Sequence, residues 1–325
     1  MRLLKCAEDG TISLTTHFDT DRLPAYAILS HTWGADEDEA SFEDVVNDEW
    51  SKRLLGAKKI QFCAEQAKSD GLEYFWVDTC CINKASSSEL QEAINSMFDW
   101  YRKARVCYVY LTDVLACDKR DEEYPIARVM ADFRRSRWFT RGWTLQELLA
   151  PYRVEFYSIE WTKLGTKQEL RQHIVDVAAL PPPVLNGLPL NQFSVRDRLV
   201  WGASRCTKRS EDAAYSMFGI FGVSMPLLYG EGKTRAFRRL FAEIKKEAQY
   251  LPSDLVPGGA WCRMKGSASP DGDKLAAVKS AAASVPVRAS KSPARPNSPM
   301  TSPAHLCSPQ HQCKCQLYSA WPCIC

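Results

Sequence analysis

Regular patterning begins near residue 24, where short apolar runs alternate with amphipathic stretches, as expected of βαβ units around a parallel sheet. Residues 26–30 (YAILS), 74–77 (YFWV), 106–111 (VCYVYL) and 154–157 (VEFY) read as strands. Between the first two, Ile60, Cys63, Ala64 and Ala67 keep helical spacing and Gly71 supplies a stop. Ser86 followed by Glu89 has the form of a capping box, and Leu90, Ile94, Met97, Phe98 and Tyr101 then share one helical face. Another helix runs from Trp143 to Leu149 and ends before Pro151. Beyond residue 158 the pattern is mainly helical. Thr166 with Glu169 is a second box, residues 181–183 are a proline break, and Phe237, Leu240, Phe241 and Ile244 line the last helix.

The grammar changes near residue 249. Residues 251–325 hold 10 of the 18 prolines and 11 serines with few large aliphatics, so this stretch is expected to be disordered. Four segments follow: a lead-in at 1–23, an α/β domain at 24–151, a helical extension at 152–248 and a Pro/Ser/Cys-rich tail at 249–325. Charge divides the same way. Residues 1–250 carry 34 Lys+Arg against 36 Asp+Glu, and the rest 8 against 3, so the folded part shows no basic stripe for nucleic acid. The first residues are charged where a secretory signal needs an apolar run, and no segment has the makings of a membrane span. The expectation is a cytoplasmic protein without membrane or nucleic-acid partners. Seven cysteines lie in residues 1–250, some inside apolar runs (Cys63, Cys107), and read as buried thiols. Cys80 and Cys81 lack a second ligand pair and the tail's Cys-x-Cys spacings do not suit zinc, so no metal is expected.

In sheets of this kind ligands sit beyond the carboxyl ends of the strands. Ser30, His31 and Trp33 follow the first strand there, and Asp78 ends the second. On the later helix Leu145, Leu148 and Leu149 cluster on one side, with Trp143 and Glu147 nearly opposite. A carboxylate beside an aromatic ring suits cleavage of a glycosidic bond through an oxocarbenium-like state. Plainer readings stand beside these: Glu147 as an exposed helix carboxylate, Trp143 as a packing residue, His31 as a loop anchor and Asp78 as a turn cap.

Four stretches in order resemble the fungal heterokaryon-incompatibility (HET) domain family: residues 26–34 (YAILSHTWG), 75–84 (FWVDTCCINK), 86–98 (SSSELQEAINSMF) and 141–148 (RGWTLQEL), closing at Ala150-Pro151. Residues 207–215 (TKRSEDAAY) and 225–232 (MPLLYGEG) resemble the family's helical extension, so the likeness spans roughly 1–245; the Pro/Ser-rich turn near Gln249 departs from it. The family is in turn similar, remotely, to TIR domains, which implies a flavodoxin-like sheet flanked by helices. Plant-type TIR domains carry a Trp-Cys-Leu-x-Glu-Leu pattern whose glutamate is catalytic, and residues 143–148 (WTLQEL) match it. The resemblance implies non-self recognition leading to cell death, with NAD as a candidate substrate rather than a cofactor and Glu147 as candidate catalytic residue. Ser30, His31, Trp33, Asp78 and Trp143 would then bind substrate. The other implied reading is an adaptor that self-associates and recruits further incompatibility proteins.

Overall fold

A computed structural model describes residues 1–19, 21–116 and 126–250, with side chains to residue 247. All lie in one compact unit, Met1–Ser284. Residues 251–325 of the tail expected to be disordered, with its cysteines, lie outside the described residues, and its first two residues belong to the last helix.

Among the described residues seven strands form one sheet: β1 (Leu4–Cys6), β2 (Ile12–Leu14), β3 (Tyr26–His31), β4 (Tyr74–Trp76), β5 (Val106–Tyr110), β6 (Val154–Tyr157) and β7 (Lys163–Thr166), in the order β2-β1-β4-β3-β5-β6-β7. The parallel sheet expected from the pattern is its middle, β4-β3-β5-β6. The sheet as a whole is mixed, because β1 pairs antiparallel with β2 and β4, and β7 antiparallel with β6. Both edges come from hairpins. The N-terminal one turns at Asp9-Gly10, where Gly10 has φ +87° and Thr11 N–H donates to Asp9 Oδ1 (2.9 Å). The other turns through Trp161, with Ser158 N–H donating to Thr162 O (2.9 Å). The sheet therefore continues past residue 151.

The helices are α1 (Phe42–Val46), α2 (Leu54–Ser69), α3 (Ser87–Lys103), α4 (Ile126–Arg135), α5 (Thr144–Leu149), α6 (Arg171–Ala178), α7 (Pro182–Leu185), α8 (Val195–Ala203), α9 (Asp212–Tyr215), α10 (Phe218–Phe221) and α11 (Lys233–Tyr250). Ser86 caps α3 by accepting from Glu89 N–H, but the Glu89 carboxylate turns to Asn83 N–H and Arg2, so only half of that box forms. Thr166 and Glu169 make both reciprocal bonds (2.8 and 3.2 Å), two residues ahead of α6.

Every residue of β3 and β5 is buried, as in strands covered on both faces. On one face Phe62 of α2 packs among Tyr108, Tyr157 and Trp161. On the other, Trp138 and Phe133 pack on Phe156. The apolar core thus sandwiches the sheet. Chain order among the parallel strands reverses at β3 and β5, and their carboxyl ends open towards residues 30–33 and 111–113.

Candidate functional site

Successive residues of a strand face opposite sides, so Ser30 and His31 serve different clusters. Ser30 points to the side covered by α3 and α5. Its hydroxyl donates to Glu147 Oε2 and accepts from Trp138 Nε1 (2.8 Å). Glu147 is only 6% exposed, which replaces the exposed-carboxylate reading. The reason is that α5 has no solvated face: Thr144 through Leu148 are all buried, with α3 and β3 packed against the helix. Burial pushes the Glu147 carboxyl up to about 8. The Ser30 hydrogen bond and the charges of Arg205 and Arg141 pull it down, while the charge of Asp78 adds to the rise. Tyr101, whose hydroxyl donates to Leu29 O (3.0 Å), lies beside the same carboxyl; burial and the Glu147 charge hold its phenol well above the ordinary value.

Trp143 keeps helical register with Glu147, whose N–H donates to Trp143 O (3.4 Å). It is the residue before α5, half-buried, and its side chain bears on the Asp212 carboxyl of α9, pulling it down against the rise that burial causes. The indole wired to Glu147 is that of Trp138, which the sequence reading missed. Its only signal was a bulky aromatic two residues after a serine cap, with nothing to name Ser30 as its partner.

His31 serves the other cluster. Its Nε2 meets Asp78 Oδ1 at 3.0 Å, and Trp33 Nε1 donates to Asp78 Oδ2 at 2.8 Å. The Asp78 side chain is 22% exposed. Burial acts to raise its carboxyl, but the His31 hydrogen bond and charge, Lys84 and the Trp33 donor outweigh it and hold Asp78 below the usual range. The Lys84 ammonium lies 3.9 Å from the Trp33 ring centre, a cation–π contact. His31 Nδ1 is buried without a partner. The loop carrying Trp33 is pinned from within: Lys59 pairs with Glu39 and donates to Thr32 O (3.3 Å), and Glu39 accepts from Gly34 N–H (2.7 Å). Ser30, His31, Trp33, Asp78 and Glu147 therefore gather around the end of β3, while the Trp143 side chain bears on Asp212.

Two buried cations hold α5 at its ends. Lys167 donates to Leu148 O (3.3 Å) and Pro151 O (2.6 Å), answering carbonyls at the helix C-terminus. Burial brings this ammonium down to about 8. Arg205, from the extension, donates through one guanidinium nitrogen to Arg141 O and Thr144 Oγ1 (both 2.9 Å). Beside it Cys206 pairs backbone to backbone with the strand-like segment ahead of α5: Cys206 N–H to Thr140 O (2.7 Å) and Gly142 N–H to Cys206 O (2.9 Å). A Cβ at Gly142 would stand 2.5 Å from the Thr207 methyl, so a side chain there would force Thr207 to move. Neither cation was marked in the sequence, where Arg205 is one of several basic residues around 205–209. Cys63, Cys80, Cys81 and Cys107 are buried free thiols, as expected, and Cys206 is an exposed one.

Residues 26–127 match the family described as heterokaryon incompatibility protein (HET). The chain is a HET-domain protein. The matched span covers β3 to β5 and contains Ser30, His31, Trp33 and Asp78, whereas Glu147 falls after it. Over 247 residues the HET chain is 53% identical to the vegetative incompatibility protein HET-E-1 of Podospora anserina. That alignment covers 76% of this chain and 18% of the relative, so the chain spans less than a fifth of its relative's length. No solved structure matches. The family resemblance carried by the four motif stretches is thereby established. Among the described residues no helix is long and apolar enough to cross a membrane.

Proposed function

We propose that this HET-domain protein acts in non-self recognition of the vegetative-incompatibility kind, in the cytoplasm, and triggers cell death by hydrolysing NAD at Glu147 in a TIR-like site. The observation that carries this is the buried Glu147 carboxyl, hydrogen-bonded to Ser30 at the carboxyl end of β3. Loss of nicotinamide from NAD leaves a ribosyl oxocarbenium ion. An ionised Glu147 stabilises that cation in a low-dielectric setting, then accepts the proton of the water that attacks it, giving ADP-ribose. Trp33, with Lys84 on one face, offers a ring for stacking and a cation for the diphosphate. Because the Glu147 carboxyl ionises near pH 8, turnover should rise with pH through that value.

The test is nicotinamide release from NAD by the full chain, wild type against Glu147→Ala, with circular dichroism as folding control. Loss of release in the folded variant supports the reading; equal release by both at high protein concentration would sink it. The adaptor reading draws on a different feature. Val46, Leu54 (74% exposed) and Leu55 present apolar side chains near the start of α2, a surface suited to self-association or to other incompatibility proteins. If it holds, Leu54→Glu abolishes concentration-dependent association in sedimentation.

A further inference from the structure

Arg205 is 7% exposed and comes from a part of the chain far from Glu147 in sequence. A buried cation costs several kcal/mol unless an opposing charge or hydrogen bonds answer it. Its bonds are to neutral groups: Arg141 O, Thr144 Oγ1 and, from Nε, Trp201 O (3.3 Å). One terminal nitrogen is buried without a partner. The charge that bears on it is Glu147's, and among the described residues no direct ion pair joins the two. A chain of hydrogen bonds does. Arg205 donates to Thr144 Oγ1, the Thr144 hydroxyl donates to Trp138 O (2.6 Å), Trp138 Nε1 donates to Ser30 Oγ, and Ser30 donates to Glu147.

We propose that Arg205 is a positioning residue for Glu147: it fixes the start of α5 and the Trp138–Ser30 pair, and its charge favours the carboxylate. The role for catalysis rests on the NAD reading above; the electrostatic role does not. The groups facing Glu147 are Ser30 of β3, Tyr101 of α3, Cys107 of β5, Asp78 after β4, and Arg141 and Arg205. Asp78 opposes ionisation of Glu147, burial opposes it further, and of the two arginines Arg205 acts the more strongly. Loss of that positive charge should therefore raise the pH at which Glu147 ionises.

The experiment follows the Glu147 carboxyl by NMR in the full chain labelled with 13C-glutamate, its signal identified as the one missing from Glu147→Gln. Arg205→Gln should move its titration midpoint upward by about 1 pH unit, and Arg205→Lys, which keeps the charge but loses the fork, by less. A folded Arg205→Gln with the wild-type midpoint would overturn the proposal. Should that variant fail to fold, Arg205→Lys decides: an unshifted midpoint with undisturbed Trp138 indole and Ser30 signals counts against the proposal, and an upward shift with displaced signals counts for it. Where the wild type hydrolyses NAD, the kcat–pH profile should shift with the NMR midpoint while KM holds. A wild type without turnover refutes the NAD reading and leaves the NMR result to judge Arg205.

Discussion

Two carboxyl groups near the end of one strand are treated in opposite ways. Glu147 is enclosed by β3, α3, α5 and the Trp138 indole, accepts a hydrogen bond from Ser30, and ionises near 8. Asp78 stands at the rim, takes bonds from His31 and Trp33 with Lys84 close by, and ionises below the usual aspartate range. Burial acts upward on both; the difference is that His31 and Trp33 both hydrogen-bond Asp78, whereas Glu147 has one such bond and also feels the charge of Asp78. Carboxyls pushed apart in this way can hold different protonation states at one pH, as acid–base chemistry requires. Asp78 keeps a fixed negative charge that orders His31 and Trp33, and Glu147 remains free to exchange its proton.

The strongest way to break the contrast is Glu147→Gln, which keeps the shape and removes the titration. NAD turnover, read as nicotinamide release, should fall by about 10²- to 10⁴-fold. Next is stability against pH, followed by thermal denaturation from pH 4 to 11. A buried carboxyl raised from the ordinary 4.5 to about 8 contributes stability that is full below 4.5 and is lost as pH climbs to 8. Lys167, lowered from 10.5 to about 8, does the reverse: its contribution is full above 10.5 and is lost as pH falls to 8. Together they place a stability minimum near pH 8. Glu147→Gln should flatten the acid limb, a change on the order of a few kcal/mol, and Lys167→Met the alkaline one. A curve without either limb would contradict both assignments.

A smaller effect joins the two carboxyls. Asp78→Asn removes a negative charge that raises Glu147, so the Glu147 midpoint should move down, by less than about 1 pH unit. An unchanged midpoint would mean the clusters are electrically independent. Smallest is Trp33→Phe, which keeps a ring under Lys84 but loses the donor to Asp78. We expect a loss of about 0.5–1.5 kcal/mol in urea unfolding and a rise in the Asp78 midpoint.

The four parallel strands and the helices at 54–69, 87–103 and 144–149 were legible because long apolar runs and 3.6-residue spacing are local properties. β1, β2 and β7 were not, being strands of three or four mostly half-buried residues without an apolar run, although Asp9-Gly10 is a hairpin turn signal. Ser30, His31 and Asp78 could be placed from strand ends alone. The setting of Glu147 could not: a helical wheel separates it from the leucines but is blind to Ser30, Trp138 and Arg205, which cover the opposite side. The wheel is equally blind to Asp212, on which the Trp143 side chain bears, because Asp212 belongs to the extension.

Gly142 carries one last consequence. Between the segment ahead of α5 and the extension at Cys206-Thr207, a Cβ added at this position would press on the Thr207 methyl at 2.5 Å. The molecule has thus left little tolerance for error at a residue that performs no chemistry. An added methyl group would act as a wedge, parting two stretches of chain that must stay in register for the carboxyl next door to remain sealed.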